Sequence, residues 1–140
     1  MTQGEKKCVL LLDEALPIGV LANTAAILGI TLGRIAPECV GPDVADGSGV
    51  LHPGIVTLPV PVLKSTAQHL RTMRKTLCHP GFSDVTVVDF SDVAQGCHQY
   101  EAYTAYAAAL DEERFTYLGL LLYGNRKKVA KLTGSLPLFR

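Results

Sequence analysis

Cys8-Val-Leu-Leu-Leu12, set between Lys6-Lys7 and Asp13-Glu14, is the stretch on which the fold turns. Five apolar residues with no polar alternation describe a strand covered on both faces, which belongs in the middle of a sheet. Leu16-Pro17 breaks the run, and Pro17 suits the first turn of a helix over about Ile18–Leu32 because proline has no N–H to lose there. Apolar residues go nearly all the way round this helix, which predicts deep burial. Ala22, Ala25, Gly29 and Gly33 fall at helical spacing on one side, where small residues let a backbone approach the sheet or a partner closely.

Outward from this unit, 42–54 reads as a structured loop rich in proline and glycine. The segment 55–63 is β-rich, but Pro59 and Pro61 donate no ladder hydrogen bonds and place it at a sheet edge or in an irregular extended run. Ser65-Thr-Ala-Gln68 matches a capping box, Leu70, Met73 and Leu77 form the apolar stripe of the helix behind it, and Pro80-Gly81 ends that helix. Val85–Phe90 reads as a second interior strand, 99–113 as a helix bearing Tyr100, Tyr103 and Tyr106, and Tyr117–Tyr123 as a third strong strand. Gly124-Asn125 reads as a turn into a short basic helix, Arg126–Leu132. Strands alternating with helices predict one α/β domain over residues 1–140, with a roughly four-stranded, mixed but mostly parallel sheet flanked by helices.

Composition narrows the class. Of 140 residues 48% are apolar and 19% charged, which excludes a disordered chain. A formal net charge of +0 and a pI near 6.9 exclude a generic polyanion binder. The mean hydropathy of +0.24 raises a membrane question, because 15–33 carries no charge and has about the length to span a bilayer. Pro17, Gly19, Asn23, Thr24, Gly29 and Thr31 within it, and the β-like run before it, argue against a membrane. Asp13 and Glu14 cut the apolar run short of a secretory signal, so the expectation is a soluble, cytoplasmic protein. Cys8, Cys39, Cys78 and Cys97 show neither zinc spacing nor a disulfide framework and read as reduced thiols.

Charge is sorted along the chain. Between Lys75 and Arg114 there is no Lys or Arg, while Asp84, Asp89, Asp92, Glu101, Asp111, Glu112 and Glu113 lie there. Lys64, Arg71, Arg74 and Lys75 precede this stretch, and Arg126, Lys127, Lys128 and Lys131 follow it. Two solvated basic faces explain this pattern, as does a phosphate-reading surface that would make RNA a partner.

Several stretches resemble a known family. Lys7-Cys-Val-Leu-Leu-Leu-Asp13 with Leu16-Pro-Ile-Gly-Val-Leu-Ala-Asn-Thr-Ala-Ala-Ile-Leu-Gly29, and the closing run 118–140, are similar to the domain-of-unknown-function family numbered two thousand. Asp46-Gly47, His52-Pro-Gly54, Val88-Asp-Phe90 and Tyr100-Glu-Ala-Tyr103 extend the resemblance over nearly the whole chain. That family resembles peptidyl-tRNA hydrolase II in fold, which implies a mixed four-stranded sheet packed between helices. The hydrolase carries basic residues after its first strand, then a Gln and a His along the helix. Here Val20, Leu21, Ala22, Ala26 and Gly29 stand in that region, and none can donate to a phosphate or orient a water. The strand-end acid is matched by Asp89, but Ser91-Asp92-Val93 replaces the Gly-Arg-Thr that follows it, so the electrophilic partners of a water-activating carboxylate are missing.

Individual residues suggest sites. Asn23, early in an apolar helix, faces either a local backbone contact or a pocket at the carboxyl end of the first strand. Asp43, Asp46 and His52 share a loop with no standard metal spacing, and His52 is a candidate acid or base. Asp89 is a candidate catalytic carboxylate or a helix cap. Gly124, Asn125 and Arg126 form a strand-to-helix corner whose N–H groups and guanidinium suit an anion. Cys78-His79 and Cys97-His98 lack a third orienting group. The leading expectation is a domain binding a small anionic ligand or nucleotide at the carboxyl edge of its sheet, with Asn23, His52 and Gly124–Arg126 as ligand residues and no metal or cofactor. A divergent hydrolase using Asp89 or His52, and a homodimeric scaffold without catalysis, are the alternatives.

Overall fold

The computed structural model describes residues 5–140. β1 (Lys6–Asp13) leads through Pro17 into α1 (Ile18–Ile35), followed by a 3-10 turn at Pro37–Cys39. β2 (Val44–Ala45) and β3 (Leu51–His52) form a small hairpin. Next come β4 (Val62–Ser65), α2 (Ala67–Thr76), β5 (Val85–Ser91), α3 (Asp92–Gln95), α4 (Tyr100–Ala109), β6 (Tyr117–Asn125) and α5 (Arg126–Thr133). The main sheet has four strands in the order β4-β1-β6-β5.

β1 lies inside the sheet, as its unbroken apolar run demands, with Cys8, Val9 and Leu11 at 0% exposure. It pairs parallel with β4 and antiparallel with β6. β6 is also antiparallel to β5, so two of the three pairings are antiparallel and the sheet is mixed without being mostly parallel. The alternation of strands and helices misleads here because α3 and α4 do not form a crossover that returns the chain in the same direction. β5 is likewise an edge strand, not an interior one. Its apolar residues are covered from both faces by helices, so they read as interior even though one ladder is open.

Alternation along the strands sends Leu10, Leu12, Leu121 and Tyr123 to one face and Val9, Leu11, Leu120 and Leu122 to the other. α2 and α5 cover the second face with Leu70, Met73 and Val129. The hydroxyl of Thr66 caps α2 by accepting from His69 N–H at 3.1 Å, so the cap falls one residue later than the motif at Ser65 suggests; Ser65 ends β4 instead. Pro59 and Pro61 keep the approach to β4 irregular, and the outer edge of β4 is closed by the chain end, where Lys64 N–H donates to Pro137 O and Phe139 N–H to Val62 O.

α1 covers the first face, but only Thr24, Leu28 and Leu32 are buried within it. Ile18 is 85% and Ile30 75% exposed, which overturns the expectation of deep burial. A helix on an otherwise open sheet face buries one stripe whatever its composition, and nothing else among the described residues comes over the rest. A Cβ added at Gly29 or Gly33 would meet no atom within 4 Å, so the small-residue stripe serves no close approach within the chain. α1 is long and apolar enough to cross a bilayer, and its buried stripe of Thr24, Leu28 and Leu32 seats it on the sheet.

Candidate functional site

Antiparallel pairing of β1 with β6 sets Lys6 opposite Asn125 and Lys7 opposite Gly124. Two lysines from the start of the chain therefore meet the corner where β6 runs into α5. With Arg126 they line a hollow of about 240 Å³ whose other walls are Thr57, Leu58, Pro59 and Pro61. Among the described residues no acidic one lines it. The Lys6 ammonium stands 5.2 Å from the centre of the Tyr123 ring, a contact that orients the chain without neutralising it. Leu58 is buried and anchors the proline-interrupted wall, which cannot collapse into a regular ladder.

Gly124 and Asn125 do not form a turn: β6 continues through both, and Asn125 is the N-cap of α5. The Asn125 side-chain oxygen accepts from Lys128 N–H at 3.1 Å, satisfying one of the orphan donors of that helix. Gly124 is required by the approach of β5, since a Cβ there would run into the Asp84 carbonyl and lie 2.8 Å from Val85 Cα. Lys128 ties the same corner from below, donating to Gly81 O and to Asp84 at 2.9 Å. That ammonium holds the Asp84 carboxyl below its ordinary range. Of the expected trio, only Arg126 lines the hollow; Gly124 and Asn125 shape and stiffen the corner beside it.

The corner lies at the amino end of β1, not at the carboxyl edge where Asn23 was expected to join it. Asn23 is exposed on α1, while its neighbour Thr24 packs over Gly119, the residue opposite Leu12 near the other end of β1. His52 is elsewhere again: its Nε2 lies 2.8 Å from Asp46 Oδ2 on the exposed hairpin. Asp46 also accepts from Ser48 and Val50 N–H, and His52 foremost, with these amides, lowers its pKa. Asp43 accepts from Gly54 N–H at 2.9 Å. These residues fix a loop, and the three candidate ligand groups do not converge.

Asp89 projects from β5 and pairs with Arg74 Nε on α2 at 3.2 Å. It caps nothing; the cap of α3 is Ser91, whose hydroxyl accepts from Ala94 N–H. Arg71 is held by the carbonyls of Glu113 and Phe115, so two cations of α2 are engaged within the chain. All four cysteines are free, Cys8 and Cys39 buried and Cys78 exposed. Burial first, and Cys39 second, push the Cys8 thiol up to about 12, far from a reactive thiolate. Among the described residues no group of three or more His, Cys, Asp or Glu is arranged to hold a metal.

Lys6 and Lys7 are the site residues that the sequence reading missed. They mark the boundary of a strand, and nothing in their spacing reveals that a strand more than a hundred residues later brings Arg126 beside them.

A solved structure of a protein of unknown function from Agrobacterium tumefaciens superposes with a TM-score of 0.85 over 97% of this chain and 98% of that one. At 19% identity the likeness is one of fold. No curated protein matches the chain. The family described as protein of unknown function (DUF2000) matches residues 6–140, and the chain belongs to it.

Proposed function

We propose that this protein is a cytoplasmic domain that binds a small anionic ligand in the hollow between Lys6, Lys7 and Arg126. One observation carries the reading: three cations from two distant parts of the chain line one concavity that has apolar walls and no acid. Basic residues that share one rim make its potential positive, and an anion in the hollow offsets it. At about 240 Å³ the space is below the roughly 300 Å³ at which drug-sized sites begin. It suits a phosphate or carboxylate with a short organic tail, and a mononucleotide would enter by its phosphate end alone.

A melting-temperature screen with pyrophosphate, mononucleotides and small dicarboxylates tests this. A ligand at about 100 times its Kd stabilises by about 2.7 kcal/mol, a rise of several degrees for a chain of this size. Arg126→Ala should cancel the rise while leaving the unliganded melting temperature close to that of the wild type. A full set of these anions producing no shift overturns the reading.

The peptidyl-tRNA hydrolase II-like fold belongs to this proposal; the mixed four-stranded sheet between helices supports it. Hydrolysis through Asp89 or His52 is less well supported, because Asp89 Oδ2 pairs with Arg74 and His52 Nε2 with Asp46. No release of tRNA from peptidyl-tRNA is expected, and turnover lost in Asp89→Asn would reverse that order. An RNA partner would meet the cations of α5 and Lys75 of α2, since Arg71 and Arg74 are held inside the chain.

A homodimer is a second reading, carried by α1. Ile18, Ala22, Ala26, Gly29 and Ile30 are exposed, and no charged side chain occurs from Ile18 to Gly33. A second copy of this chain fits that face, because an uncharged surface meets itself without like-charge repulsion and glycines permit close approach.

A further inference from the structure

A second hollow, of about 410 Å³, is larger than the basic one. It lies at the open edge of β5, between Ile27 and Thr31 of α1 on one side and the segment running from Cys97 into α4 on the other. Tyr100 and Tyr103 both line it, with ring centroids 5.6 Å apart and planes at 87°. Two perpendicular rings make adjoining walls of a corner. Asp89 and His98 line the same hollow, and among the described residues no Lys or Arg does.

We propose that this hollow is a binding site for an organic ammonium ion, held between the Tyr100 and Tyr103 rings and the Asp89 carboxylate. The aromatic quadrupole attracts a cation to the ring face, and a corner of two rings does so from two sides. Arg74 engages Asp89 Oδ2 from α2 and is not among the lining residues, and the Asp89 Oδ1 has no hydrogen bond among the described residues. The surrounding chain reinforces the sign of the field, since no Lys or Arg occurs between Lys75 and Arg114. Burial and then the charge of Asp89 raise the Tyr103 pKa, so the carboxylate field reaches that ring. Folding itself makes little use of these aromatics: α4 has no buried residue, and Tyr100 is 77% exposed. An anion is disfavoured by Asp89, and a neutral apolar molecule would gain the walls without the carboxylate.

Choline and its neutral carbon isostere, 3,3-dimethylbutan-1-ol, are the probes, titrated against the full chain while the Tyr ring resonances are followed by NMR. Choline should shift the Tyr100 and Tyr103 signals and leave Tyr117 and Tyr123 unmoved, with the isostere bound at least tenfold more weakly. Tyr100→Ala should weaken choline by about threefold to thirtyfold, and Tyr100→Phe should restore it. Because Tyr100 is exposed, neither variant threatens folding. Arg126→Ala, which tests the anionic site, should leave choline binding unchanged. The proposal is overturned if choline fails to bind, if the isostere binds equally well, or if Tyr100→Ala has no effect.

Discussion

On one face of the sheet α2 buries Leu70 and Met73 and turns Thr72 and Lys75 to solvent; on the other α1 buries Thr24, Leu28 and Leu32 and turns Ile18, Ala22, Ala26 and Ile30 outward. The inner stripes are alike, three or four residues apart and seated on the same strands. The outer stripes are opposite in kind. α2 is completed within the chain: its arginines reach the carbonyls before β6 and the Asp89 carboxylate, and its cap is closed by Thr66. α1 has no side-chain cap and an apolar outer face. The difference teaches that composition reports how much of a helix wants covering, and that the chain alone does not always supply the cover.

Truncation of the inner stripes is the strongest way to break this comparison. Leu28→Ala and Leu70→Ala should each cost about 3 kcal/mol in denaturant unfolding, since both side chains are 0% exposed and leave a cavity. A much smaller loss for Leu28 would mean that α1 is only loosely held.

The α1 face also holds a titratable thiol. Cys8 has its pKa raised from 9.0 to about 12, so the folded state favours the neutral thiol. The stability it contributes is present below about pH 9 and is lost as the pH rises toward 12. Unfolding midpoints measured across that window should fall more steeply for the wild type than for Cys8→Val. Parallel curves would remove Cys8 from the account, together with its contribution to the raised pKa of Tyr123.

Thr24 sharpens the comparison by a smaller amount. Its hydroxyl is buried without a hydrogen-bond partner among the described residues, and no such group lies in α2. Thr24→Val keeps the shape that packs over Gly119 and should be neutral to stabilising by about 1 kcal/mol. A loss above that would show that the hydroxyl has a partner in solution.

The smallest effect on the fold is expected from the outer stripe itself. Ile30→Glu should leave monomer stability within about 0.5 kcal/mol, as surface changes do. The same variant should shift sedimentation from dimer to monomer if a second copy covers α1. A wild-type protein that sediments as a monomer removes the homodimer.

Pattern and propensity alone determined most of the elements. The Cys8–Leu12 run placed β1 inside the sheet, the prolines kept 55–61 irregular, and the spacing of Leu70, Met73 and Leu77 marked the buried stripe of α2. These follow from local physics, because each depends on residues within one element. Strand order and direction were different, since they are set by which neighbour each edge finds. The apolar run of β5 is the same whether its ladder is open or paired, and only the sheet shows it at the edge.

The site divides along the same line. Arg126 was legible as a cation at a strand-to-helix corner. Lys6 and Lys7 became its partners only through the β1–β6 register. Asp89, expected as a cap or a base, joined Arg74 and the two tyrosines through contacts between distant elements. Sequence by itself fixes what each residue can do and which local element it favours. The company it keeps is decided by the tertiary structure, because charge pairing, cavity shape and exposure depend on distances that no local spacing encodes.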